Sequence, residues 1–304
     1  MRKYVGLAII NASKSIILKC GIMDWNDKLG KIRAKIAEKD KILVAFSGGV
    51  DSSLLAKICR DILGENALCI ILDSETLPRS ELKYAEELAR SLGLKYEVVK
   101  CSSLADEDFL KNPPNRCYYC KISSFKTLKS MAEERGINCI ADGMNLSDYD
   151  DYRPGIAACD EMGIWHPFVD AGISKEDIRD IARNMGLSFW NKPSSACLSS
   201  RISYEERITI ENLKMVELAE DFLKCRGFGQ LRVRAHGNLA RIELLGNDIE
   251  RAMHCREEIS KELKSIGFLY VALDMEGLVV CRIFCKLVGP VIPQVNPYPW
   301  INTF

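Results

Sequence analysis

Histidine is scarce in this chain, with three among 304 residues, and neither sign of charge prevails, since 42 Lys and Arg balance 42 Asp and Glu. His166 and His254 read as structural side chains and not as ligands, because neither stands near a second histidine. The charge balance is also local: residues 1–200 hold 28 basic and 28 acidic side chains, and residues 201–304 hold 14 of each. No basic domain is present to supply a nonspecific grip on nucleic acid. No apolar run reaches the roughly 18 residues that span a bilayer, so no membrane partner is expected. Met1-Arg2-Lys3 and the apolar residues after it faintly resemble a signal peptide, but Asn11, Lys14 and Lys19 interrupt them and no small-x-small cleavage site follows. Residues 1–22 read as an N-terminal extension, with Met23 as an alternative start. What the chain has in quantity is cysteine. Thirteen in a chain of this length are too dilute for a disulfide scaffold, and an odd number leaves no complete set of bridges. A reducing cytosol is the expected compartment.

From Lys41 onward, short β-rich runs alternate with helix-period segments, the pattern of a parallel sheet wrapped by helices. Strands are expected at 42–46, 67–72, 96–100 and 138–141, and helices at 51–63, 80–92, 121–135 and 174–185. The Pro- and Asn-rich stretch 112–120 reads as a loop. Right-handed crossovers place ligands at the carboxyl ends of such strands. Beyond residue 200 the order changes to a helix at 211–225, a strand pair at 230–236 and 239–244 around Gly237-Asn238, a helix at 248–266 and a strand at 270–273. The expected fold is therefore an α/β domain over 23–200 and a small C-terminal α+β domain over 201–288, with a Pro-rich arm over 289–304.

The first strand runs directly into Ser47-Gly48-Gly49-Val50-Asp51-Ser52-Ser53 and then a helix. Glycines let backbone N–H groups approach a phosphate, and the helix N-terminus adds partial positive charge. Ser47, Ser52 and Ser53 offer further hydroxyl donors, and the spacing is not that of a Walker loop. The alternative is a plain glycine turn before a serine-capped helix. Ser-Gly-Gly-Val-Asp-Ser resembles the PP-loop of the ATP pyrophosphatases, which cleave ATP between the α and β phosphates. That resemblance implies an adenine nucleotide alpha hydrolase-like sheet with helices on both faces, pyrophosphate held by the loop, and Asp51 near magnesium and phosphates.

Two thiols stand three residues apart at Cys117 and Cys120, a spacing that suits one metal or cluster but also a redox pair or two unrelated core thiols. Cys197 lies in the small-residue loop Lys192-Pro193-Ser194-Ser195-Ala196-Cys197, where a thiol can be exposed. With the phosphate loop, Ala141-Asp142-Gly143-Met144, Asp151-Tyr152-Arg153-Pro154-Gly155, Trp190-Asn191-Lys192, Cys197-Leu198-Ser199-Ser200-Arg201, Arg232-Val233-Arg234 and Leu273-Asp274 occur in an order that resembles LarE-type ATP-dependent sulfur transferases. The resemblance covers about residues 24–283. It implies conversion of a carboxylate of pyridinium-3,5-biscarboxylic acid mononucleotide to a thiocarboxylate, as a step toward a nickel-pincer nucleotide. It also implies Cys117, Cys120 and Cys197 as ligands of a [4Fe-4S] cluster carrying a sulfide. Consumption of Cys197 as a sacrificial donor is the other route in the family.

On the segment 231–236 a period of two puts Arg232, Arg234 and His236 on one face. Two guanidinium forks suit a phosphate, although the same face could simply be solvated and paired with Glu243. The resemblance makes Arg232 and Arg234 contacts for the mononucleotide phosphate. It makes Cys197, Ser200, Glu220 and Asp274 catalytic or substrate-site residues, with Asp142 and Gly143 beside the nucleotide. Unaided, Asp142 and Asp151 read equally as turn formers. ATP, Mg2+ and the cluster are the expected cofactors; a homo-oligomer and a separate sulfur donor are compatible with the chain. Two other readings remain open, a transfer RNA thiolation enzyme with the same chemistry and a nucleotide-binding module whose cysteines hold structural zinc.

Overall fold

The computed structural model describes residues 25–150 and 154–278. The expected N-terminal extension, Asp151 with its two neighbours, and the Pro-rich arm lie outside the described residues. These residues fall into two compact units. The first runs to Ser200 and takes in Tyr204–Leu213; the second takes Arg201–Ser203 and the chain from Lys214.

In the first unit the elements run α1 (Trp25–Ala37), β1 (Ile42–Ala45), α2 (Val50–Leu63), β2 (Ala67–Asp73), α3 (Arg79–Ser91), β3 (Lys95–Lys100), α4 (Glu107–Leu110), α5 (Arg116–Glu134), β4 (Ile140–Ala141), α6 (Pro154–Glu161), α7 (Pro167–Asp170) and α8 (Lys175–Asn184). The strands form a parallel sheet in the order β3-β2-β1-β4. Alternation along β1 and β2 feeds two cores, as a sheet covered on both faces requires. Ile42, Val44, Cys69 and Ile71 pack with Leu29 and Ile32 of α1, Leu54 and Leu55 of α2, Ala85 of α3 and Ile178 of α8. Leu43, Leu68 and Ile70 face the other way, against Phe125, Leu128 and Met131 of α5. The expected α/β sheet with helices on both faces is thus observed.

The expected loop 112–120 is shorter than the Pro and Asn content implied. The Arg116 N–H donates to the Pro113 carbonyl at 2.9 Å, and α5 starts at Arg116, placing Cys117 and Cys120 on its first turns and not in a loop.

The second unit contains α9 (Ile210–Cys225), which starts in the first unit's segment, then β5 (Leu231–His236), β6 (Leu239–Leu244), α10 (Gly246–His254), α11 (Arg256–Ile266) and β7 (Tyr270–Leu273). β5 and β6 are antiparallel, with His236 opposite Leu239, so Gly237-Asn238 forms a two-residue hairpin loop in which Gly237 has φ +53°. β7 pairs with β6 in parallel. The single helix expected over 248–266 is two, because the backbone opens at Cys255 (φ −95°, ψ 11°). Among the described residues no helix is long and apolar enough to cross a membrane.

Candidate active site

Strand β1 delivers the chain to the phosphate loop, which folds on its own hydroxyls. Ser47 and Ser52 Oγ lie 3.0 Å apart, the Ser47 N–H donates to Ser52 Oγ at 3.2 Å, and Ser52 Oγ donates to the Gly49 carbonyl at 3.3 Å. Gly48 has φ +69°, and a Cβ there would stand 2.9 Å from Ala85 Cβ, so only glycine fits. Gly143 is equally constrained, since a Cβ would come within 2.7 Å of the Ser52 backbone nitrogen. This close approach puts the Asp142-Gly143 turn against the start of α2. Ser53 is fully buried, and among the described residues its hydroxyl has no hydrogen-bond partner.

Asp51 faces Lys175, the first residue of α8, whose Nζ lies 2.6 and 2.5 Å from the two carboxylate oxygens. A capping box between Ser174 and Asp177 fixes that helix start, and the Lys175 N–H donates to Ser147 Oγ at 3.1 Å. Asp142 is buried, accepts from the Met144 N–H at 3.1 Å, and lies 2.7 Å from His166 Nδ1. Burial, the largest influence, pushes its carboxyl up, but the His166 hydrogen bond, the Lys121 charge and the Met144 N–H together hold it below the ordinary range. His166 is therefore structural in the expected sense, yet it supports a residue beside the phosphate loop.

Lys121 follows Cys120 on α5. Burial works against its charge, and Asp142, Cys159, Cys120 and Cys117 together raise its pKa. One ammonium thus lies in the fields of the Asp142 carboxylate and of two of the candidate ligand thiols. Cys117 and Cys197 are exposed and Cys120 is half-buried. Burial pushes the Cys120 thiol up to about 11, against the Ser103 hydroxyl that donates to it at 3.5 Å, and both Cys197 and Cys117 add to the rise. Cys117 and Cys120 share the first turns of α5, and Cys197 is among the charges that act on Cys120. Among the described residues no group of three His, Cys, Asp or Glu could hold a single metal ion. Three soft thiolates, two of them on one helix N-terminus, are a donor set that fits an iron–sulfur cluster. Ser200 is buried, and its hydroxyl donates to the Cys197 carbonyl at 2.7 Å.

In the second unit the charged residues are mostly committed to one another. Glu220 accepts from Arg201 Nε at 2.8 Å and from the Val233 N–H at 3.2 Å. Glu243, fully buried, accepts from Arg234 Nε at 2.6 Å and from Arg241 Nη2 at 2.9 Å. Asp274 lies 3.6 Å from Arg241 Nε and caps its own turn by accepting from the Glu276 N–H at 2.9 Å. The two expected forks are thus unequal. Arg234 is held in a buried ion pair, while Arg232 is half-buried and has no carboxylate within ion-pair distance among the described residues. Burial lowers its pKa, and the charges of Arg201 and Arg234 lower it further against the pull of Glu243 and Glu220. An under-compensated guanidinium is a point where an anion is favoured.

Sequence reasoning missed Lys121 and Lys175, and it singled out Lys192 in a motif without giving it a role. Position beside a cysteine or a helix cap does not announce a partner.

A family model described as NAD synthase matches residues 25–110, which carry the phosphate loop. An uncharacterised protein of Synechocystis is 42% identical over 252 residues, covering 82% of this chain and 94% of that protein. An uncharacterised protein of Methanocaldococcus jannaschii is 34% identical over 252 residues, covering 82% of this chain and 96% of that protein. The pyridinium-3,5-bisthiocarboxylic acid mononucleotide synthase of Lactiplantibacillus plantarum is 35% identical over 251 residues, covering 82% of this chain and 91% of that protein. With this likeness running through both units, the chain belongs to the LarE-type family of PP-loop enzymes.

Proposed function

We propose that this protein activates a carboxylate of pyridinium-3,5-biscarboxylic acid mononucleotide with ATP and replaces a carboxylate oxygen by sulfur, in the cytoplasm. The observation that carries the reading is the pair Cys117 and Cys120 on the first turns of α5, where both the following residue Lys121 and the distant Cys197 act electrostatically on Cys120.

Backbone N–H groups of Gly48 and Gly49 and the N-terminus of α2 receive the β and γ phosphates. Asp51 would hold the magnesium that arrives with ATP, which would supply charge neutralisation, and Lys175 stands beside it to offset charge on the leaving pyrophosphate. A substrate carboxylate oxygen attacks the α phosphorus, the bond to the bridging oxygen breaks, and pyrophosphate leaves. The resulting acyl-adenylate is open to a sulfur nucleophile at the acyl carbon, and AMP departs with the original oxygen. Adenylation is required because a carboxylate oxygen is otherwise a poor leaving group. Cys117, Cys120 and Cys197 would hold a [4Fe-4S] cluster that supplies the sulfur. Ser200 fixes the Cys197 carbonyl and Lys121 holds positive charge beside the thiols. Arg232 takes the phosphate of the mononucleotide, with Arg234 holding the strand through Glu243. Glu220 orients Arg201, and Asp274 orients Arg241.

An anaerobic assay with ATP, magnesium, sulfide and the biscarboxylate mononucleotide tests this, read by mass spectrometry. AMP and a product heavier by one oxygen-to-sulfur exchange are expected. AMP formation without that product rejects the substrate. A protein that is colourless and free of iron and acid-labile sulfide after anaerobic purification rejects the cluster.

A further inference from the structure

Lys192 is half-buried, and its ammonium has three partners. It donates to the Gly48 carbonyl of the phosphate loop at 3.2 Å and to Glu81 Oε2 at 2.8 Å, and it stands 3.5 Å from the centre of the Tyr84 ring. The backbone beneath it is fixed by Arg179, which donates to the carbonyls of Trp190 and Lys192 at 2.9 and 3.0 Å. At the far end of the same loop the Leu198 N–H donates to the Thr76 carbonyl at 2.8 Å. Between these ends residues 193–195 and Cys197 are exposed. The loop that carries Cys197 is therefore strung between two anchors, and one anchor is the carbonyl of a phosphate-loop glycine.

We infer that Lys192 is a positioning residue that ties the placement of Cys197 to the occupancy of the phosphate loop. The inference rests on the ATP-using reading above. A Cβ on Gly48 would stand 2.9 Å from Ala85 Cβ, so the loop runs close against α3 at the residue whose carbonyl Lys192 holds. A bound polyphosphate brings several negative charges beside a cation whose partner carboxylate is Glu81. That pair is partly open to solvent, with side-chain exposures of 15% and 25%, so exchanging one anion for another costs little compared with breaking a buried pair. Pro193 then passes the change on: its ring fixes its own φ and keeps Lys192 out of the helical region, so a shift at Lys192 moves the residues after it. Coupling of this kind is reciprocal, and nucleotide at the loop must alter the state of Cys197.

The test measures iodoacetamide alkylation of the reduced, iron-free full chain, resolved by peptide mass spectrometry, with and without a nonhydrolysable ATP analogue and magnesium. Nucleotide is expected to slow reaction at Cys197 by at least about fivefold, the lower end of ordinary allosteric coupling. Cys225, exposed in the second unit, serves as the reference that does not respond. Lys192→Met abolishes the response at saturating analogue, Lys192→Arg retains it, and Glu81→Gln shifts it to lower analogue concentration by removing the competing carboxylate. A full response in Lys192→Met, or no shift in Glu81→Gln, overturns the inference. Equilibrium dialysis on the same samples separates it from the reading it rests on. Wild-type protein that binds the analogue with no change at Cys197 defeats the role of Lys192 alone, whereas wild-type protein that binds no analogue defeats both.

Discussion

The two units use charge in opposite ways. In the first, Lys175 meets Asp51 and Lys192 meets Glu81 through pairs that remain partly exposed and join residues 124 and 111 positions apart. In the second, Arg201 with Glu220 and Arg234 with Glu243 are dry pairs whose carboxylates are almost fully buried. An exposed pair contributes little to stability and is easily exchanged for a ligand, while a buried pair cannot lose one member without stranding the other. On the proposed function, the first arrangement suits a loop that accepts and releases polyphosphate. The second suits a scaffold that holds one guanidinium, Arg232, for a fixed anion.

The sharpest way to break this contrast is Glu243→Leu. It removes the buried carboxylate that Arg234 and Arg241 share, and is expected to destabilise the fold by about 3–5 kcal/mol. Urea unfolding followed by circular dichroism measures it. A loss below about 1 kcal/mol, the size of an exposed pair, would erase the distinction between the units.

Next in size is Arg232→Met. The side chain has no carboxylate partner among the described residues and sits beside Arg201 and Arg234, so its removal relieves repulsion and leaves stability unchanged or higher. Affinity for the mononucleotide is expected to fall by about 1.5–3 kcal/mol, the worth of charge-assisted hydrogen bonds. Calorimetric titration with the mononucleotide and with its dephosphorylated nucleoside separates the cause. Equal losses for both ligands would remove Arg232 from the phosphate.

The same contrast explains what the sequence made legible. Strands β1 and β2 were readable because buried parallel strands are near-continuous apolar runs, and the phosphate loop because glycine and serine at that spacing carry their own geometry. The helix expected from residue 121 was there, but its first turn, with Cys117 and Cys120, was not foreseen, since Pro113 and Asn115 read as loop formers while the Pro113 carbonyl actually accepts the first N–H of α5. The partners of Lys175 and Lys192 were invisible because they lie more than a hundred residues away. Pairing of the arginine face with Glu243 across the hairpin was visible as an alternative, from strand period, and Arg232 is the residue that stands opposite Glu243 in the register. That only one of the two arginines would be taken was not visible, because it depends on which side chain burial closes over.

The smallest expected effect concerns Asp177, which accepts from Lys28 at 2.5 Å and closes the capping box of α8 just after Lys175. Burial pushes its carboxyl up, but Lys28 and the Ser174 N–H and hydroxyl outweigh that and hold it below the ordinary range. A carboxyl depressed by folding adds stability that is present above its unfolded pKa, about 3.9, and is lost as pH falls through the lower folded value. Asp177→Asn should therefore lower stability at pH 7 by about 1 kcal/mol, the usual worth of a cap, and flatten the acid limb of the stability curve below about pH 4. Chemical unfolding at a series of pH values checks it. Because the pair is partly exposed, salt should shrink the difference between wild type and variant, whereas the deficit of Glu243→Leu should persist in salt. If salt shrinks the Glu243→Leu deficit as much as the Asp177→Asn one, the two units do not differ in how they hold charge.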